Sequence, residues 1–128
     1  MGIERRKHWR VRCELPLKYS TISAKGADDV VESGESTILD IGMGGVAFPV
    51  DHPVNIYDVF GLEISLPEPP PIKVTGEIRR ATKVEDAYLL GIHFLDIKDE
   101  DRKRIKDYVL TKESDEMPRL LDKFFKKR

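Results

Sequence analysis

From Val11 to Ser20 apolar and polar positions alternate without a break. Val11, Cys13, Leu15, Leu17 and Tyr19 fall on one side, and Arg12, Glu14, Pro16, Lys18 and Ser20 on the other. A period of two over this length predicts a strand with one buried face. Pro16 has no N–H to give a ladder, which places it at an edge or a bulge. Residues 20–36 carry little apolar content beyond Ile22, Val30 and Val31 and read as a hairpin connection. Thr37-Ile38-Leu39-Asp40-Ile41 resumes a strand and runs into Gly42-Met43-Gly44-Gly45, after which Val46-Ala47-Phe48-Pro49 continues. Three glycines in four positions imply a plain hairpin turn, a positive φ, or close approach of a backbone or ligand.

Residues 51–58 form a connection containing Pro53 and Asn55. Residues 59–66 alternate again, with Leu62, Ile64 and Leu66 on one face, and Pro67-Glu68-Pro69-Pro70-Pro71 then imposes an extended connector. Ile72, Val74 and Ile78 mark the next strand, followed on its polar side by Arg79-Arg80 and Lys83. After a turn at Val84-Glu85-Asp86-Ala87, a last strand carries Tyr88, Leu90, Ile92 and Phe94, with Gly91 and His93 on its other face. Six short strands separated by turn signals, with no helix between them, predict a mainly-β fold: a six-stranded antiparallel sheet closed as a barrel. Closure also removes exposed edges.

The period changes after Ile97. Asp99-Glu100-Asp101 open a segment in which Ile105, Tyr108, Val109 and Lys112 recur at helical spacing, acidic at its start and basic toward its end, as a helix dipole favours. Ser114 or Asp115 is placed to cap a second short helix with Pro118 in its first turn. Leu120, Leu121, Phe124 and Phe125 would form its apolar stripe, against the barrel or against another copy of the chain as a homodimer. The chain divides into a basic arm over residues 1–12, a barrel with its helix over 11–112, and a basic amphipathic helix over 113–128. No internal repeat is present.

The 128 residues suffice for one domain, and 40% hydrophobic with 35% charged residues fits a soluble one. The single cysteine, Cys13, cannot form an internal disulfide, and neither a signal peptide nor an apolar run long enough for a membrane occurs. The expectation is a cytoplasmic protein. His8, His52 and His93 lack ligand partners at metal-binding spacing, and no phosphate loop or serine elbow is present, so neither a metal, a cofactor nor catalysis is expected. Charge changes the picture in one place. Glu4 to Arg12 holds four arginines and a lysine in a chain of net charge −1. Such a local field implies an anionic partner rather than general affinity for polyanions such as DNA, and arginine's planar fork grips phosphates and guanine edges bidentately.

Arg6-Lys7-His8-Trp9-Arg10 and Asp40-Ile41-Gly42-Met43-Gly44-Gly45 together resemble the motifs of the PilZ family, Arg-x-x-x-Arg before the first strand and [Asp/Asn]-x-Ser-x-x-Gly on a later one. The order of strands, Val74-Thr75-Gly76-Glu77-Ile78, Gly91-Ile92-His93-Phe94 and the following helix extend the likeness over roughly residues 4–112. The resemblance implies a non-catalytic receptor for cyclic di-GMP that changes its conformation or its contacts with a downstream protein on binding. It implies ligand contacts at Arg5, Arg6, Arg10, Asp40, Gly42 and Gly45. Arg6 and Arg10 would meet phosphates and guanine O6/N7, and Asp40 would accept from guanine N1–H and N2–H₂. Arg5 corresponds to the family arginine associated with two intercalated ligands. Trp9 has two readings, stacking on a base or packing on the barrel. Gly42 departs from the family serine and removes one hydroxyl contact. Two rivals remain at this level: an adaptor that binds the nucleotide weakly or not at all, and a small RNA-binding barrel that uses the same arm.

Overall fold

The computed structural model describes the backbone of residues 10–23 and 33–125, and side chains as far as residue 112. Six strands, β1 (Arg10–Ser23), β2 (Ser33–Gly42), β3 (Gly45–Val50), β4 (Val59–Ile64), β5 (Ile72–Val84) and β6 (Ala87–Asp96), precede one helix, α1 (Asp99–Phe125). They close as a barrel in the order β1-β2-β3-β6-β5-β4, every neighbouring pair antiparallel. The alternation on β1 is realised: Val11, Cys13, Leu15, Leu17 and Tyr19 are buried, with exposed residues between them up to Lys18. Pro16 pairs with Thr37 of β2, while the ladder to β4 stops one residue away at Leu17–Ile64. Only its carbonyl is used on that side, accepting from Ser65 N–H, so the missing donor costs nothing.

Phe48, Phe60, Ile38, Ile41, Ile64, Ile78 and Leu90 fill the interior, each worth about 1.5–3 kcal/mol on burial. Tyr19 stacks on Phe60 with ring centroids 5.3 Å apart and lies 3.1 Å from His52 Nε2 through its hydroxyl. Ile105 and Val109 of α1 join this core, and Tyr108 packs at its margin. Arg104 donates to the Glu68 carbonyl at 2.7 Å, tying the helix to the proline connector.

Three elements differ from the expectation. The connection over 20–36 shrinks because β1 runs on to Ser23 and β2 begins at Ser33, paired through Ser20–Ser33; residues 24–32 lie outside the described residues. Strand β5 extends to Val84 through Arg79-Arg80, where a register shift falls between Ile78 and Arg80. The backbone of α1 is continuous through Ser114, Asp115 and Pro118, so a second helix capped at Ser114 or Asp115 does not occur. A proline in the helix interior forfeits one hydrogen bond, at a cost of about 3 kcal/mol.

Candidate functional site

Two irregularities in the barrel bring arginines and an acid to one outer face. On β2, Ile38 and Ile41 both point into the core, and two residues, Leu39 and Asp40, are left between them on the outside. The accompanying register shift between Arg12 and Leu15 keeps Arg12 opposite Asp40. Arg10 Nε donates to Asp40 Oδ1 at 2.6 Å, with about a third of each side chain exposed. On β5, Ile72, Val74, Gly76 and Ile78 alternate inward, then Arg79 and Arg80 are both exposed and Ala81 returns to the core. A bulge inserts one residue and reverses the inward–outward parity of the rest of the strand. Without it Arg80 would enter the barrel. Arg79 is held by Glu77 at 2.7 Å. Among the described residues, no carboxylate pairs with Arg80 or Arg12.

These side chains border one groove of about 880 Å³, with Arg10, Arg12 and Asp40 on one wall and Arg79, Arg80 and His93 on the other. Four arginines thus face one aspartate at its surface. The floor is lined by Gly44, Val46, Gly91 and Ile92. Such an arrangement binds anions and offers donors to nucleobase edges. Among the described residues no cluster of metal-ligating side chains occurs.

The glycine run resolves into separate roles. None of the described glycines has a positive φ. Gly45 is the close approach: a Cβ there would fall on the Ile92 carbonyl oxygen of β6, with which β3 pairs through Gly45–His93. Gly42, the last residue of β2, is the register partner of Arg10. Arg5, Arg6 and Trp9 precede the described residues.

The PilZ domain profile matches residues 4–111, from the basic arm into α1. The chain belongs to the PilZ domain family. Solved PilZ-fold structures superpose on it. The inhibitor of motility MotI/DgrA of Bacillus subtilis does so with a TM-score of 0.73 at 17% identity, covering 88% of this chain and 53% of its own. For YcgR of Escherichia coli in complex with c-di-GMP the values are 0.68, 15%, 94% and 50%. For MrkH of K. pneumonia, also in complex with c-di-GMP, they are 0.64, 18%, 91% and 56%. This chain spans about half the length of each, and at these identities the likeness is one of fold. A search of curated proteins gives no match.

Within the PilZ frame, the second arginine of Arg-x-x-x-Arg is Arg10 and the acid of the later motif is Asp40; the structure brings these two into contact. Arg12, Arg79, Arg80 and His93 join the site without being singled out by the sequence motifs. For Arg12 a signal is present, since alternation puts residues 10 and 12 on the same face. For Arg80 it is absent, because parity counted from Ile78 points it inward.

Proposed function

We propose that this PilZ domain is a receptor for cyclic di-GMP whose ligand lies in the arginine-lined groove and alters what the domain contacts next. The Arg10–Asp40 contact carries the reading. It joins the two family motifs, one from β1 and one from β2, into a single acceptor-and-donor unit. Asp40 uses one carboxylate oxygen on Arg10, leaving Oδ2 to accept from guanine N1–H and N2–H₂. Arg10 spends one of five N–H donors on Asp40, leaving the rest of the fork for a phosphate or guanine O6/N7. An exposed pair of this kind contributes only about 0.2–1 kcal/mol to stability, so its main effect is to hold both groups in position. Arg5, Arg6 and Trp9 of the arm join them on the ligand, and Gly42 withholds the family's serine hydroxyl. YcgR and MrkH were solved with this same ligand, which supports the choice of dinucleotide. A cytoplasmic site of action and a downstream protein partner belong to the same reading.

Fluorescence polarisation with labelled cyclic di-GMP tests it. Arg10→Ala and Asp40→Ala should each weaken binding about tenfold or more, whereas Lys106→Ala, exposed on α1, should leave it unchanged. Wild-type affinity in the Asp40 variant would remove the assignment of this groove.

A further inference from the structure

The second wall of the groove has no assigned role, and its chemistry is specific. Register partners run in one row across five strands: Arg12–Asp40, Asp40–Ala47, Ala47–Gly91 and Gly91–Arg80. Partners in a ladder share a face, so this row lies along the outside of the barrel with small residues, Ala47 and Gly91, in its middle. The Arg80 side chain folds back over Gly91: a Cβ added there would lie 3.4 Å from Nη2 and 3.5 Å from the arginine Cβ. The guanidinium therefore sits toward β6, two strand spacings or about 10 Å from β2. Its neighbour Arg79 is engaged by Glu77, but Arg80 has no carboxylate partner among the described residues. The β5 bulge turns outward a charge that regular pairing would bury.

We infer that Arg80 is a second ligand-gripping residue, which takes the half of the dinucleotide remote from Asp40. This rests on reading the groove as a cyclic dinucleotide site. One base and one phosphate are satisfied at Asp40 and Arg10. The second nucleotide unit then crosses the floor at Gly91 and presents an acceptor pair, two phosphate oxygens or guanine O6 and N7, to the unengaged fork of Arg80. Arg80 thus makes the groove a site for a two-unit ligand.

Calorimetry with cyclic di-GMP on the full chain and on Arg80→Ala, Arg80→Lys and Lys83→Ala tests this. Arg80→Ala should lose about tenfold to a hundredfold in affinity. Arg80→Lys should recover only part, because it keeps the charge without the fork. Lys83→Ala, which removes an exposed charge on the same strand outside the groove lining, should stay within about twofold. Arg80 is exposed, and its lysine variant keeps the test valid should the alanine variant fold poorly. Full affinity in both Arg80 variants overturns the inference, as does an equal loss in Lys83→Ala, which would signify a diffuse field. Absence of binding by the wild-type chain would instead overturn the dinucleotide reading itself.

Discussion

Gly42 stands where the PilZ motif read in the sequence carries a serine. It is the register partner of Arg10, so a side chain there would project on the same face as the arginine. Its φ is not positive, so the backbone admits a serine. Gly42→Ser is therefore expected to tighten cyclic di-GMP binding about tenfold to a hundredfold, the equivalent of one hydrogen bond to a charged group, read by calorimetry against the parent chain. Cys13 lies on the inner face of β1, opposite Arg10 and Arg12. Burial pushes its thiol from 9.0 up to about 11, with the Asp40 charge adding and Lys112 opposing, and its Sγ donates to the Ile38 carbonyl at 3.5 Å. A raised value favours the neutral thiol in the folded state. The stabilisation is complete below pH 9 and is lost as pH rises through 11. Urea titrations of Cys13→Ala should show a smaller loss of stability than the parent between those values, by up to about 2–3 kcal/mol.

At the scale of elements, the barrel owes its working face to the places where regular pairing fails. Gly45 lets β3 pack directly on the Ile92 carbonyl of β6. Gly45→Ala should cost about 1–3 kcal/mol as an overpacking change, measured as a lower denaturation midpoint without ligand. An unchanged midpoint would leave a ligand contact as the better account of the motif glycine. The alternations that define β1, β4 and β6 are legible because each has one buried face and a strict period of two. The bulge at Arg79-Arg80 is not, since nothing local marks an inserted residue: its evidence is Ala81 packing inward three residues after Ile78. The continuity of α1 is hidden similarly, because Ser114, Asp115 and Pro118 form a plausible helix start. Of the site, Arg10 and Asp40 are legible from motif order, while their contact and the facing wall need the closed barrel.

For the whole molecule, a net charge of −1 conceals a face where four arginines border one aspartate. Attraction to a dianionic ligand is then local and falls with added salt as screening shortens its reach. Trp9 is the chain's single tryptophan and lies between Arg6 and Arg10, so its emission isolates the arm. Saturating cyclic di-GMP should change that emission, and Asp40→Ala should shift the midpoint of the change to higher ligand concentration without altering its end point. The central claim is that this PilZ domain binds the dinucleotide itself, and calorimetric titration of the full chain with cyclic di-GMP tests it most directly. Saturable heat with a dissociation constant in the micromolar range or below is the predicted result, and no heat at ligand concentrations on the order of tens of micromolar would contradict it.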